Sequence, residues 1–455
     1  MTRISSAGIQ VLVCLAALAG CYEPKLEDCT LSCGAGDACP SGQHCDHGFC
    51  SLSKACSPSM SAGGSSGSIQ VAAYLKPEMV TSFAQFGSAV VIDGDTLAVG
   101  APYEGLNEGN GPGAVYVFAR QGAGWSQQQR LAASAAQDGD LFGIALALSG
   151  DTLIVGAPKA GPEHAGTVHV FANTGTSMST PWVEQALLQP PNLESGDLFG
   201  DGVALSADTL VVGAPNDDGV DNAAFDSGAA YVFTGSGSTW TQTDYLEPEQ
   251  PGTTIDFGVY VGLSGNTLAV GAPGYTAKPG LADVFARSGE TWMRQAELSG
   301  TAAVENFGSV ALDGDTLVVG ASYEDSGRGA AYVFARSNGV WIQQAHLTAS
   351  TPEAGAWFGT AVSLRGDTLF VGSHRETYMG LPFCGVVHTF RRTGSSWIEG
   401  APVVSPNPSA GDRFGVSLSY DGHVLAVGAA FEGGNGTSPL DDSALQAGAA
   451  YVWTP

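Results

Sequence analysis

Positive charge is scarce in this chain. Its 455 residues include 17 lysines and arginines against 44 aspartates and glutamates, a formal charge of −27. Such a balance repels phosphate backbones and leaves no basic stripe to follow them, which argues against nucleic acid as a partner. Charge of either sign is thin, at 13% of residues, while 44% are apolar. A sizeable core is therefore available, and the chain is no disordered polypeptide. Catalytic signatures are also missing: there is no HExxH, no GxSxG with suitably placed partners and no P-loop, so the chain does not read as an enzyme. What is abundant is glycine, 64 residues, with 23 prolines. That composition suits many short strands joined by tight turns better than long surface helices.

At the amino terminus a single Arg3 precedes an apolar run from Ile9 to Ala19 that is too short for a comfortable membrane span. It ends in Leu18-Ala19-Gly20-Cys21, which resembles the signal and lipobox of bacterial lipoproteins. The resemblance implies a signal peptide over residues 1–20, cleavage before Cys21 and a diacylglyceryl group on its sulfur. The expected location is the outer membrane or cell surface of a bacterium, with the membrane contacted through that lipid anchor. An ordinary signal peptide or an uncleaved anchor is the alternative, and in either case the chain is exported.

Six of the nine cysteines, Cys29, Cys33, Cys39, Cys45, Cys50 and Cys56, crowd into residues 21–56. A segment so short cannot bury enough apolar surface to fold on its core, and three disulfides are the expected staple, with fifteen pairings open. A metal site using His44 or His47 is the rival, but no CxxC pair is present. Residues 57–68 turn to Ser and Gly, a flexible linker, so the large domain spans residues 69–455.

In that domain one sentence is written seven times. The copy from Phe307 to Leu347 reads FGSVALDGDTLVVGASYEDSGRGAAYVFARSNGVWIQQAHL. Phe-Gly recurs at residues 86, 142, 199, 257, 307, 358 and 414, and a second glycine follows at Gly100, Gly156, Gly213, Gly271, Gly320, Gly372 and Gly428. Between them lie pairs such as Asp93-Gly94, Asp313-Gly314 and Asp421-Gly422, suited to two-residue hairpin loops. A third strand opens with glycine (GAVYVF at 113, GAAYVF at 329, GAAYVW at 448), and a fourth opens with Trp125, Trp182, Trp240, Trp292, Trp341 or Trp397. Four antiparallel strands repeated seven times describe an all-β, seven-bladed β-propeller. The seventh copy lacks its fourth strand, which stands alone at Ile69–Leu75. Pairing it with the last blade closes the ring and removes two exposed edges.

The pattern FG…DTLVVGAP…GAAYVF resembles the FG-GAP repeat of integrin α chains and many bacterial surface proteins. The resemblance implies an adhesion or recognition scaffold. Integrin-type members often carry a calcium-binding DxDxDGxxD loop between the first two strands. Here only DGDT or a close equivalent stands there, so that site is not expected, and Asp95, Asp151, Asp208, Asp315 and Asp367 are expected to bond turn amides.

The second-to-third and fourth-to-first connections share the face opposite the DG turns. There the second-to-third gap ranges from 7 residues in blades four and five to 18 in blade seven. That face is also acidic, with Glu104, Glu108, Asp217, Asp218, Asp221, Asp226, Glu324, Asp325, Asp441 and Asp442. The run Asn216, Asp217, Asp218 and Asp221 is the candidate calcium site; no cofactor is required, and a solvated loop is the alternative. His169 and His388 fall where other blades have tyrosine and read as strand residues. The tryptophans read as packing rather than sugar-stacking residues. Blade six departs most, with Ser373-His374-Arg375, Cys384 and Arg391-Arg392; drift in one blade is the simpler reading, and a Cys/His site the other. Three functions are in view: a surface protein binding a protein or glycan through its variable face, a polysaccharide hydrolase or lyase using loop carboxylates, and a structural envelope component.

Overall fold

The computed structural model describes residues 44–46, 49–51, 70–105, 109–122, 124–175, 181–219, 225–249, 256–274, 280–300, 306–435 and 442–454. The chain divides into two units, Met1–Ser65 and Ser66–Pro455. In the first, strands His44–Asp46 and Phe49–Ser51 pair as a hairpin with Cys45 opposite Cys50. The signal segment, Cys21, Cys29, Cys33, Cys39, Cys56 and the linker lie outside the described residues, as do Glu108, Asp221 and Asp441.

The second unit is built of seven four-stranded antiparallel sheets. Blade one, for example, consists of Ala89–Asp93, Thr96–Ala101, Ala114–Gln121 and Gly124–Leu131. Helical structure among the described residues is limited to single turns at Pro162–His164 and Glu324–Gly327. The second strand of every blade is almost wholly buried, as is the first part of the third, in keeping with their content of Val, Ala, Leu and Phe. The core lies between blades: Phe307, Tyr332, Phe334 and Trp341 of blade five pack against Val284 and Leu298 of blade four.

Closure follows the expected route. Strand Gln70–Leu75 pairs antiparallel with Ala449–Thr454, setting Tyr74 opposite Tyr451. In most blades the FG motif precedes the first strand. Phe86, Phe142, Phe199, Phe257 and Phe358 each form a parallel bridge to the glycine that opens the third strand of the preceding blade. Phe86 makes this bridge to Gly448, so the first and last blades meet as any other pair does.

These bridges explain the glycines. A β-carbon on Gly100 would land on the carbonyl oxygen of Gly143 in the next blade, and one on Gly213 on that of Gly258; the same collision recurs at Gly156, Gly271, Gly320, Gly372 and Gly428. Each second-strand glycine is thus the floor on which the next blade's FG glycine rests. Backbone approaches backbone with no room for a methyl group.

On the opposite face the turns are tied together, though not as expected. The amide of Gly150 donates to Asp93 Oδ2 of the preceding blade at 2.7 Å, Gly366 to Asp313 Oδ2 at 2.7 Å and Gly94 to Asp421 Oδ2 at 3.1 Å. Ser206 and Ser264 take the same role toward Gly265 and Gly314. The turn amides are therefore served from the neighbouring blade, by the residue before that blade's own left-handed turn position. Of the aspartates expected to do this, Asp315 and Asp367 instead pair with Arg336 and Arg392, which lie over Trp341 and Trp397. The tryptophans are packing residues, as read from their register: Trp182, Trp292, Trp341 and Trp397 are buried, and the indole nitrogens of Trp341 and Trp397 donate to Gln295 and Gln344.

Candidate functional site: the loop face

The face carrying the long connections is organised by one position on the third strand and one in the loop before it. Third-strand Tyr116, Tyr231 and Tyr332 each extend a hydroxyl toward a carboxylate in their own blade's loop: Glu104 at 2.6 Å, Asp217 at 2.7 Å and Glu324 at 2.8 Å. In blade six His388 Nε2 meets Glu376 at 2.8 Å. The fourth strand supplies a second partner to the loop carboxylate: Arg130 to Glu104 at 2.7 Å, Tyr245 to Asp217 at 2.6 Å and His346 to Glu324 at 2.9 Å.

The acidic face is only partly solvated. Glu104, Asp217, Glu376 and Glu432 are buried side chains that tie loop to blade, while Asp325 and Asp442 are exposed. Burial first, and then the carboxylate charge, push Tyr116 and Tyr231 well above the usual phenol range, so their hydroxyls stay protonated and donate. In the candidate calcium run both oxygens of Asp217 receive tyrosine hydroxyls, and Asp218 Oδ1 accepts the amide of Asp226 at 2.7 Å. Among the described residues no three Asp, Glu, His or Cys side chains converge as a metal site.

Where the third-strand residue changes, its partner changes with it. His169 and His388 sit in strand positions, as expected, and each Nδ1 meets a fourth-strand glutamate, Glu184 at 2.7 Å and Glu399 at 2.9 Å. Burial pulls His388 down, but the hydrogen bonds and charges of Glu376 and Glu399 outweigh it and raise the imidazole overall. In blade four the register holds Asp283, fully buried, and Arg294 reaches it at 2.6 Å. Burial raises Asp283 to about 7 against the opposing pull of Arg294. Residues of opposite character thus occupy facing positions within one blade.

Blade seven combines this network with closure. Glu432 is paired with Lys76, which follows the closing strand, and receives the hydroxyl of Tyr74 at 3.0 Å. Both members of the ion pair are buried, and Asp412 beside them is raised to about 7, mainly by burial and then by the charges of Glu432 and Asp442. Lys76 is pulled below its ordinary value by burial, with Glu432 working against that.

Above this layer lie two positions that the sequence reading passed over. The residue before each FG takes a left-handed backbone in all seven blades: Gln85, Leu141, Leu198, Asp256, Asn306, Trp357 and Arg413, with φ between 52° and 61°. Leu and Trp gain nothing locally from that conformation, which costs on the order of 1 kcal/mol and is imposed by the turn that sends Phe to the preceding blade. Beside it stands the residue just before the loop carboxylate position, which is Tyr103, Tyr323, Arg375 or Phe431 in blades one, five, six and seven. Aligning the repeats at these flanks would have shown both positions. In blade six Cys384 is buried, with Sγ 3.8 Å from the carbonyl oxygens of Glu376 and Tyr378.

The fold and its two faces define a closed seven-bladed propeller, uniform at the turns and variable at the loops. The chain belongs to the FG-GAP repeat family: the family model matches residues 73–118, 125–171, 182–233, 292–334, 341–380 and 397–453. The first three strands of blade four fall between two of these matches, and that blade carries Asp283 in the tyrosine register. Among solved structures, the chain is similar to Kuenenia stuttgartiensis hydrazine synthase, at 12% identity over 78% of this chain and 94% of that one, with a TM-score of 0.48. A chain of a mitotic checkpoint complex is similar at 10% identity over 86% of this chain and 96% of that one, with a TM-score of 0.51. At such identity the latter likeness concerns the fold alone. No curated protein matches the chain.

Proposed function

We propose that this protein is an exported, lipid-anchored surface binding protein whose propeller presents its loop face to a protein or glycan ligand. The observation that carries the reading is the contrast between the two faces. The turn face repeats short loops tied blade to blade, whereas the loop face changes in length and chemistry from blade to blade on a fixed frame. Loops on such a frame vary without disturbing packed strands, which suits recognition. In this reading the Cys-rich segment and linker form a stalk between the lipid on Cys21 and the ring.

The polysaccharide hydrolase or lyase reading requires two carboxylates free to act as acid and base. Glu104, Asp217, Glu324, Glu376 and Glu432 are each committed to hydroxyl, imidazole or cationic partners, which favours binding over catalysis. Attachment of the purified full chain to arrays of surface proteins, matrix proteins and glycans tests the binding half. Replacing the blade-seven loop by the short blade-five loop should abolish attachment to at least one partner, and attachment unchanged throughout would refute it. For the anchor, metabolic lipid labelling should mark the wild type and not Cys21→Ser; label on neither would remove it.

A further inference from the structure

Among the described residues, two arginines of the loop face stand together between blades six and seven. Four side chains from the two variable positions described above stand there in a row. Trp357 precedes the FG of blade six and Arg375 opens its loop, with the Arg375 guanidinium 3.4 Å from the centre of the indole. In blade seven the order of types is reversed: Arg413 precedes the FG and Phe431 opens the loop, with Arg413 3.8 Å from the phenyl centre. Tyr323 of blade five extends the row, its ring 4.7 Å from that of Trp357. The reversal brings the two guanidinium groups within electrostatic reach of one another.

Neither arginine has a carboxylate partner among the described residues, in a chain with 44 acidic side chains. The acids adjoining them in the chain are occupied elsewhere. Asp412 Oδ2 accepts the amide of Ser409 at 2.7 Å, and Glu376 meets His388 Nε2 at 2.8 Å. Below the pair His374 is 4% exposed, and its Nδ1 has no hydrogen-bond partner. Burial, followed by the charges of Arg413 and Arg375, pushes His374 down to about 3, so it is neutral and does nothing to offset them. Arg413 is itself lowered by burial and by Arg375. Stacking holds each guanidinium plane in place while leaving its N–H fork uncommitted, an arrangement that matches a carboxylate in two-point contact.

The surroundings indicate what carries that carboxylate. Phe383 is 50% exposed and Met379 79% exposed on the blade-six loop, and the Phe383 carbonyl accepts the Arg413 amide at 3.1 Å, which fixes this apolar edge against the notch. Exposed Phe, Met and Tyr around paired arginines are the residue types enriched at protein interfaces. Trp357 is already packed against Arg375 and Tyr323, which leaves less of its ring for stacking on a sugar. A polyanion would also be repelled by the rest of the molecule.

We propose that the notch formed by Arg375 and Arg413 is a carboxylate seat for a protein ligand, receiving one Asp or Glu side chain flanked by apolar residues. This rests on the loop face being the binding surface and names its anchor.

The test uses the full chain and a fluorescein-labelled Leu-Glu-Phe peptide with an amidated carboxyl terminus, read by anisotropy. Binding is expected in the micromolar to millimolar range, weaker by about tenfold or more for the Leu-Gln-Phe peptide and for Arg375→Gln or Arg413→Gln, as loss of a charge-assisted pair requires. Arg365→Gln, the same charge change on the turn face, should bind as wild type does. If Arg413→Gln melts early, Arg375→Lys replaces it, since it keeps the charge and loses the fork. Equal binding of the Glu and Gln peptides, or no effect of either arginine, overturns the proposal. Trigalacturonate binding that depends on these arginines, with no peptide binding, overturns it too, in favour of a glycan. Peptide binding by the notch together with array attachment indifferent to the loops would leave the seat in place and refute the wider function instead.

Discussion

The glycine contacts between blades and the arginine notch above them sit at the two extremes of this molecule. The first is repeated at all seven interfaces with the same atoms in collision range, from Gly100 against Gly143 to Gly428 against Gly87. The second occurs once, by reversing the order of an aromatic and an arginine between adjacent blades. The contrast separates what builds the ring from what distinguishes one side of it. Between the extremes lies the third-strand register, which tolerates Tyr, His or Asp provided that the facing partner changes too.

The largest expected effect comes from breaking the repeated contact. Gly213→Ala places a methyl group on the Gly258 carbonyl and should cost more than about 4 kcal/mol, seen as loss of the cooperative urea transition. Gly314→Ala, where a β-carbon meets nothing within 4 Å, should cost only about 1 kcal/mol for its left-handed φ of 58°. Equal losses at the two sites would mean that the interblade collision is not what requires glycine.

Next is the ion pair at the closure. Lys76→Met leaves Glu432 buried beside Asp412 with no cation and should destabilise the ring by about 3–5 kcal/mol. Arg328→Met, at a surface pair with Asp325, should change stability by less than about 1 kcal/mol in the same urea titration. A Lys76 variant as stable as wild type would show that the closing strand holds by its backbone pairing alone.

A smaller effect is expected from pH. Asp412 and Asp283, both raised to about 7, and Asp197, raised to about 6, bind protons more tightly folded than unfolded. Their contribution is full below the unfolded value near 4 and is lost as pH rises through 6 to 7. The raised His388 acts in the same sense as pH climbs through its folded value. His374, held down to about 3, works in the opposite sense below its unfolded value near 6.5, but it is outnumbered, so the melting temperature should be higher at pH 5 than at pH 7.5, by about 2–5 °C. A lower value at pH 5 would contradict the assignment of these buried carboxyls.

The smallest effect tests the turns. Blade three has Ala207, at φ 54°, where other turns have glycine. Ala207→Gly should raise stability by about 0.5–1 kcal/mol, and a loss would show that the methyl group is packed rather than strained.

Much of the ring was legible before any coordinates, because its signals are local and repeated. The FG and second glycine recur at fixed spacing, strand period and turn chemistry agree in each copy, and the orphan strand at Ile69–Leu75 has a unique vacancy to fill. The site was less legible, since acidic residues look alike in a sequence whether solvated or buried. The tyrosine partners of Asp217 could not be read from the run around it, since Tyr231 and Tyr245 lie 14 and 28 positions away and Tyr245 comes from the far edge of the blade. The notch was hidden for another reason. Trp357 and Arg375 are 18 positions apart, and Arg413 lies in the next copy, so only the ring brings them together.

The most direct measurement compares two charge-matched double variants for attachment to the protein and glycan arrays. Arg375→Gln with Arg413→Gln alters the loop face, and Arg365→Gln with Arg391→Gln alters the turn end of the same blade. Attachment to the protein ligand should fall by about tenfold or more in the first and stay at the wild-type level in the second. An equal fall in both, or a fall only in the second, would contradict the assignment of recognition to the loop face.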